Sequence, residues 1–437
     1  DYYAQDPGGA LTQDGGGRFT LERSDLVRRR SVTNRHYGWI PRVALNSGRN
    51  SKLILGGELR FHDGRHFGEL EAGSALPPGT AADFAYYDYH PHTLATGAFA
   101  RFEWNARGRL RGTADLAWRH VSYSMRDDRF DGIGFEQKYD FLNPRLGLDY
   151  AVGGGVTALA SWAQTRREPA FRDLYDAEGV GNAPLFARRD AAGLWVDPLI
   201  RPERVNDLEA GVEFAHGSNL PAEEAAAGGT YLSMTLNFFR MDFQDELVYA
   251  GQFNTDLGYA ILGNAAKSVH QGLEAGFAMR GLLSRSVSAR LGANATLSDN
   301  HFVRYREVYG TTPADVVSYD GKALGFFPAT LANVSGSLGW QGLDLGVEAQ
   351  HAGRIYLDNT ESSSASLPPR TVFNLSARYS GLRGAARRVS AGIRVLNVFD
   401  RKYEAGGYMD YDATGALVPH VVPAATRAVM GELGVRF

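Results

Sequence analysis

Apolar and polar residues alternate along most of this 437-residue chain, in segments of about ten to fifteen residues. In the segment 286–298, Val287 and Leu291 share one face, while Arg290 and Asn294 lie on the other. A period of two residues is the side-chain period of a strand whose two faces meet different surroundings. The pattern therefore predicts an all-β protein built from antiparallel strands.

The length of these segments separates a membrane barrel from a soluble β-sandwich, whose strands also alternate. Sandwich strands are about five or six residues long, whereas a tilted strand that crosses a bilayer needs about nine to eleven. The apolar faces here are long, and several end in an aromatic residue such as Trp104 or Trp118. Long apolar faces with aromatic ends are typical of a transmembrane β-barrel, whose aromatic girdles lie at the two membrane interfaces.

The connections between the alternating segments are short and long in turn. The short connections are 46–50, 105–108, 153–155, 281–285 and 341–342. The long connections are about 65–91, 125–136, 169–202, 249–262, 301–327, 357–370 and 405–425. This asymmetry is typical of outer-membrane barrels, which have short periplasmic turns and long extracellular loops.

Fifteen strands are predicted from this pattern. They are 32–45, 51–64, 92–105, 109–124, 137–150, 155–168, 203–216, 229–248, 263–280, 286–300, 328–339, 342–356, 371–380, 388–400 and 426–437. The Ala-rich region 217–228 is predicted to be a longer periplasmic turn or a brief helix. Bacterial single-chain barrels normally have an even number of strands, so we expect at least one strand upstream and an extracellular loop over residues 1–30.

Composition excludes several other classes of protein. No apolar run is long enough for a transmembrane helix or a signal peptide, so we expect the targeting signal to lie upstream. The absence of cysteine excludes a disulfide scaffold, a Cys-based zinc site and a thiol nucleophile. Because the net charge is only −3 and both signs are interspersed, no nucleic-acid partner is expected. No catalytic signature is present, so we predict neither an enzyme nor a cofactor.

Several short motifs, in order along the chain, resemble those of the TonB-dependent outer-membrane receptors. They are Asn143-Pro144-Arg145-Leu146, Trp162-Ala163-Gln164, Arg167-Glu168-Pro169-Ala170-Phe171-Arg172-Asp173-Leu174-Tyr175, Arg201-Pro202-Glu203, Asn206-Asp207-Leu208-Glu209-Ala210-Gly211, Phe238-Phe239-Arg240-Met241-Asp242-Phe243, Asn264 with Gly272-Leu273-Glu274, Asn397-Val398-Phe399-Asp400 with Tyr403, and a final strand ending in Phe437. The segment 56–68 also resembles sequence in members of this family that are linked to iron transport.

The resemblance implies a barrel of 22 strands, closed by an N-terminal plug, that imports a scarce solute using the energised TonB complex. Residues 1–437 then form the C-terminal portion of the barrel domain, without the plug and about seven strands. The implied location is the bacterial outer membrane, and the implied partners are lipid, lipopolysaccharide, the TonB complex and a small-molecule or metal-chelate solute. A monomer is expected.

Two groups of residues are candidates for contact with a solute. Extracellular loops supply aromatic and basic side chains, which give contact area and charge-assisted hydrogen bonds: Arg167, Phe171, Arg172, Tyr175, Tyr356 and Tyr408. Ordinary loop packing is an equally good explanation of these six. Polar residues whose position in the alternation places them on the lumen side are Arg111, Asp115, Arg119, Arg290, Glu348 and Arg378. For these we favour contact with the plug over lining of a solute path.

Four histidines near the first long extracellular loop are weaker candidates for metal binding. They are His62, His66, His90 and His92, and Asp63 and Asp88 lie beside them. Imidazole with a carboxylate binds Cu, Zn or Fe, but loop histidines are more commonly solvated. We therefore predict no metal site.

The leading functional hypothesis is a TonB-dependent importer of an iron–siderophore complex. The alternatives are the same fold importing cobalamin, another metal complex or a glycan, a passive porin, and a structural or adhesive barrel.

Overall fold

The structure of the chain is a computed structural model. It describes residues 12–13, 19–20, 26–73, 81, 83–106, 108–175, 184–217, 230–254, 259–308, 316–384, 387–412, 414 and 416–436. Three sequence predictions lie outside these residues wholly or for the most part: the turn or helix at 217–228 beyond Gly217, the loop over residues 1–30 and the terminal Phe437.

Long antiparallel strands dominate this part of the chain. They are Leu26–Trp39, Arg42–Ser47, Ser51–Gly73, Pro91–Ala106, Leu110–Met125, Phe135–Gly153, Val156–Arg167, Glu203–His216, Tyr231–Asn254, Tyr259–Leu282, Val287–Arg304, Thr330–Trp340, Leu343–Ala352, Arg370–Gly384, Arg387–Leu396 and Ala428–Arg436. The first two correspond to one predicted strand that is interrupted at Ile40 and Pro41, where proline removes a ladder donor. The fifteen predicted strands are therefore confirmed.

Each long strand pairs in antiparallel register with its neighbour along the chain, except that Leu26–Trp39 and Arg42–Ser47 both pair with Ser51–Gly73. The ladder then continues strand by strand to Ala428–Arg436. The resulting sheet has the form of a barrel. Its apolar outer face and polar inner face follow from the alternation, because successive side chains of a strand point to opposite sides.

Shorter elements lie in the long connections. They are the strands Thr12–Gln13, Phe19–Thr20, Phe84–Tyr89, Phe186–Arg189, Trp195–Pro198, Arg306–Val308, Val316–Ser318, Ile355–Tyr356, Ser366–Leu367, Glu404–Tyr411 and Leu417–Pro423, the helix Phe171–Leu174 and the 3₁₀ helix Ser363–Ala365. No helix among the described residues is both long enough and apolar enough to cross a membrane.

The strands predicted at 342–356 and 388–400 end earlier than predicted, at Ala352 and Leu396. Other predicted strands were too short on the extracellular side. Leu26–Trp39 begins inside the predicted loop 1–30, and Ser51–Gly73 continues well into the predicted loop 65–91. Most of the predicted loop 249–262 is also strand. The physical reason is that strand ends standing clear of lipid need no apolar outer face, so the alternation disappears while the backbone ladder continues.

Candidate functional site

The strand Leu110–Met125 shows how the two faces of the barrel wall are distinguished. Leu116 and Trp118 are 48% and 44% exposed and lie on the outer face, as expected of side chains that meet lipid. Arg111, Asp115 and Arg119 occupy the alternate positions and therefore share the inner face. The alternation places all six predicted lumen residues on the inner face of their strands in the same way.

Each predicted lumen residue has an oppositely charged neighbour, which lies on the inner wall except for Glu168 in the loop after Arg167. The pairs are Arg111 with Asp149 (3.8 Å), Asp115 with Arg101 (2.6 Å), Arg119 with Glu168 (2.6 Å), Arg290 with Asp344 (3.7 Å), Glu348 with Arg394 (3.6 Å) and Arg378 with Glu432 (3.3 Å). The inner wall thus carries both charge signs in close alternation. Such a surface suits a polar, hydrogen-bonding occupant, and contact with a plug stays a prediction.

Two grooves run along this inner wall. The first lies around Arg101, Asp115, Arg145 and Glu209. The second lies on a different group of strands and contains Arg290, Glu348 and Arg378 together with their partners. Five of the six predicted lumen residues lie at these grooves or beside them, whereas Arg119 lies higher, below the extracellular loops.

Above the first groove, loops and strand ends pack into a buried aromatic cluster, which we call the mouth cluster. It consists of Leu70, Tyr86, Tyr87, Tyr89, Val121, Tyr123, Met125, Ile133, Phe135, Tyr139, Phe141, Leu174, Tyr175 and Phe186. Tyr175 is only 2% exposed and donates a hydrogen bond to Asp128 (2.9 Å). Phe171 packs edge-on against Tyr123 and is tilted against Phe135. Phe171 and Tyr175, which were predicted to contact a solute, are thus part of the packing between loops.

The other predicted loop residues lie at the surface or at the edges of loop hairpins. Arg172 is exposed, and exposed Arg167 pairs with Glu203 (2.8 Å). Tyr356 lies in the short strand Ile355–Tyr356, and Tyr408 stacks on His420 with ring centroids 5.6 Å apart. The structure does not bring the six residues into one patch, and their role in solute binding stays a prediction.

An ion pair with a buried carboxylate supports the short helix Phe171–Leu174. Glu168 is 8% exposed and accepts a hydrogen bond from Arg119 on the barrel wall. Among the described residues, neither the second carboxylate oxygen of Glu168 nor Nε of Arg119 has a hydrogen-bond partner. Asp173, also buried, accepts a hydrogen bond from the backbone N–H of Ala170 (2.8 Å). Buried charges therefore fix the position of this helix under the mouth cluster.

Burial raises the pKa of Asp173, against the opposing effects of the Ala170 hydrogen bond and of Arg172 and Arg167. A carboxyl group whose pKa is higher in the folded loop binds its proton more tightly there than in the opened loop. We therefore expect packing of the helix to be most stable in acid and to weaken as pH rises through the raised pKa. Hydrogen exchange of the amides 170–175, corrected for intrinsic rates, should show more opening at neutral pH. In Asp173→Asn this pH dependence should disappear; its persistence would contradict the assignment.

The four predicted histidines each contact a different partner. His62 contacts Asn34 (3.0 Å) and stacks on His36, which sequence reasoning missed. His66 contacts the Tyr89 hydroxyl, and His92 lies 2.9 Å from Asp63. Ring Nδ1 of His90 is 3.5 Å from a backbone carbonyl oxygen. Among the described residues, no three or more His, Asp or Glu side chains are arranged to hold a metal ion.

A second buried polar cluster on the inner wall was not predicted. His270 lies between Phe243 and Phe327 and contacts Glu246 (3.0 Å) and Asn300 (3.1 Å). Ser268 also donates a hydrogen bond to Glu246. Because serine bonds the carboxylate and not the imidazole, this is not the arrangement of a nucleophilic triad. The alternation places Ser268 and His270 on the inner face, but only the fold brings Glu246 to them.

The asparagines of the family-like motifs tie strand ends together at the extracellular rim. Oδ1 of Asn143 accepts a hydrogen bond from the backbone N–H of Arg166 (3.0 Å). The Asn264 amide bonds both backbone groups of Arg201 and the carbonyl of Asp245. Asn397 makes a similar set of bonds to Arg401 and Ala425. These motifs therefore have a structural explanation that does not involve the solute.

Comparison with known proteins agrees with the fold and the strand motifs. Residues 1–398 match the family model described as TonB dependent receptor-like, beta-barrel. The chain therefore belongs to the TonB-dependent receptor family, whose members are outer-membrane transport receptors. A search among curated proteins finds no match.

Solved structures of the same family share the fold. The ferric yersiniabactin uptake receptor FyuA of Yersinia pestis superposes with a TM-score of 0.62 at 15% identity, covering 94% of this chain and 55% of that one. The siderophore receptor PiuA of Acinetobacter baumannii gives 0.62 at 14% identity, with 94% and 58% covered. The copper transporter OprC gives 0.65 at 16% identity, with 93% and 57% covered. The chain thus spans little more than half the length of these receptors.

Proposed function

We propose that the protein containing this chain imports an iron–siderophore complex across the bacterial outer membrane, driven by the TonB complex. The observation that carries the proposal is the family match over residues 1–398. The chain would supply most of the barrel wall and the extracellular loops. The plug and the site that contacts TonB would lie outside these 437 residues, and the receptor would act as a monomer without a resident cofactor.

The choice of an iron chelate is supported by the named solutes of structural neighbours. FyuA is a ferric yersiniabactin receptor, PiuA a siderophore receptor and FecA a ferric citrate transporter. Ferric chelates are often anionic and polar, and an extracellular surface with exposed Arg172 and ring-bearing Tyr408 suits them through charge-assisted bonds and stacking. OprC is a copper transporter, which keeps another metal complex as the second candidate.

The proposal is tested by measuring uptake in cells that lack the full-length receptor, and again after the receptor has been restored. We expect radioactive iron, supplied as defined siderophore complexes, to accumulate only with the receptor, an intact TonB complex and a proton-motive force. Accumulation that is unaffected by loss of TonB would indicate a passive porin. Energy-dependent uptake of cobalamin, a copper complex or a glycan, without uptake of iron, would show that the solute is not an iron–siderophore complex. The absence of any uptake would favour a structural or adhesive barrel.

The same assay tests the loop residues. Arg172→Ala should raise the half-saturating chelate concentration about tenfold without changing the maximum rate, since it removes a charge-assisted contact. Arg188→Ala is the matched control, because Arg188 is also an exposed loop arginine and pairs with Asp197 (2.6 Å). Equal effects of the two variants would exclude Arg172 from the solute site.

A further inference from the structure

Two arginines face each other across neighbouring strands of the barrel wall. Arg166 on Val156–Arg167 and Arg204 on Glu203–His216 are direct register partners. Directly opposed residues of an antiparallel pair have Cβ atoms about 5 Å apart, and like charges at this spacing destabilise the sheet. An arginine pair in this position therefore needs either acidic neighbours or a bound anion.

The arginine pair lies on the outer face of the barrel, directly above the apolar band. On its own strand Arg166 shares the face of Trp162, and on the partner strand Arg204 shares the face of Leu208. Trp162 and Leu208 are themselves register partners and exposed, as lipid-facing residues are. A four-residue step corresponds to about 13 Å along a strand, so the guanidinium groups stand at the level of the outer-leaflet headgroups.

Neither guanidinium group has an acidic partner among the described residues. Nε of Arg204 is buried and has no hydrogen-bond partner there. Other arginines nearby are neutralised: Arg167 pairs with Glu203 on the inner face, and Arg240 pairs with Asp242 (2.9 Å) on the outer face. The pair is therefore a local concentration of positive charge beside arginines that have acidic partners.

We propose that Arg166 and Arg204 bind a phosphate group of an outer-leaflet lipid. Guanidinium groups bind phosphate oxygens through paired, charge-assisted hydrogen bonds, and one phosphate held between two arginines removes their mutual repulsion. A lipid is the source because the pair adjoins the apolar band, where the acyl chains of the same molecule can pack on residues such as Trp162. The proposal depends on the outer-membrane location and not on which solute is transported.

Lipid binding to the purified, delipidated full-length receptor tests this site. The probe is lipid A carrying both phosphates, with dephosphorylated lipid A and inorganic phosphate as separate arms. We expect the double variant Arg166→Gln/Arg204→Gln to bind phosphorylated lipid A about tenfold more weakly, and Arg240→Gln to bind it like the wild type. Dephosphorylated lipid A should bind weakly to all three proteins.

Thermal unfolding separates lipid binding from a structural role. In lipid-free detergent the double variant should have a Tm equal to or above that of the wild type, because like-charge repulsion is removed. With phosphorylated lipid A the wild type should become the more stable protein. Unchanged lipid binding in the double variant, or a lower Tm without lipid, would overturn the proposal. Arginine-dependent protection by inorganic phosphate alone would overturn its assignment to a lipid. Uptake of the solute is not measured, so failure here leaves the transport proposal standing.

Discussion

Replacing Gly272 by alanine is expected to prevent most of the barrel from folding. A Cβ at this position would lie less than 3.0 Å from the carbonyl oxygen of Leu297 and 2.9 Å from Cα of Ser298, both backbone atoms of the adjacent strand. Backbone held in a hydrogen-bonded ladder cannot move aside as a flexible side chain can. The neighbouring strand must therefore separate from Tyr259–Leu282, at a cost of about 3 kcal/mol or more.

Gly147 supplies the matched control for this substitution. It lies within the strand Phe135–Gly153, and a Cβ added there would meet no atom within 4 Å. Gly147→Ala should fold like the wild type. The folded fraction is measured by the faster migration of unboiled barrel on a denaturing gel, and by thermal unfolding in detergent. Similar folded fractions for Gly272→Ala and Gly147→Ala would show that the two strands are not in such close contact.

Replacing Asn397 by alanine is expected to produce the second large loss of stability. Asn397 is 4% exposed and has a positive φ of 48°. Its side-chain amide donates to the carbonyls of Arg401 and Ala425 and accepts from the N–H of Arg401. Alanine loses these bonds, leaves three backbone groups of Arg401 and Ala425 without this partner and is strained at positive φ. The expected cost is about 4 kcal/mol.

Two further variants separate the causes of this loss. Asn397→Asp tolerates the positive φ and keeps the acceptor but loses the donor, so its Tm should fall between those of the wild type and the alanine variant. Asn333→Ala removes a single exposed amide bond to Asn294 and should cost less than about 0.5 kcal/mol. Hydrogen exchange should locate the opening caused by Asn397→Ala in residues 397–427. A Tm for Asn397→Ala equal to that of Asn333→Ala would refute the structural role of the Asn397 hydrogen bonds.

The alternation of side chains predicted the membrane-crossing parts of the strands well, because lipid imposes the pattern there. The predicted strand 203–216 coincides with Glu203–His216, and 109–124 differs by one residue from Leu110–Met125. The strand that ends at Gly73 was predicted to end at 64. Beyond the membrane both faces of this strand are solvated or covered by loops, so no periodic signal marks its end.

The candidate site was predictable only where it depends on alternation. Arg119 could be placed on the inner face because it directly follows Trp118, which was assigned to the outer face, and successive side chains of a strand alternate. Its partner Glu168 could not, because that carboxylate is 49 residues later and reaches Arg119 through a loop. The burial of Tyr175 depends in the same way on contacts between loops that are far apart in the sequence. Sequence alone therefore could not decide between solute contact and loop packing for Phe171 and Tyr175.

Two neighbouring strands extend far beyond the apolar band on one side of the barrel. Tyr231–Asn254 and Tyr259–Leu282 each contain 24 residues, or about 80 Å of strand, whereas the apolar band of such barrels is only about 25 Å tall. Even with a tilt of about 45°, such strands rise far above the lipid. The wall is therefore taller here than at strands such as Leu343–Ala352 and Arg387–Leu396, which contain ten residues each. We expect antibodies or phage that approach this side of the barrel to meet hydrogen-bonded strands well above the bilayer.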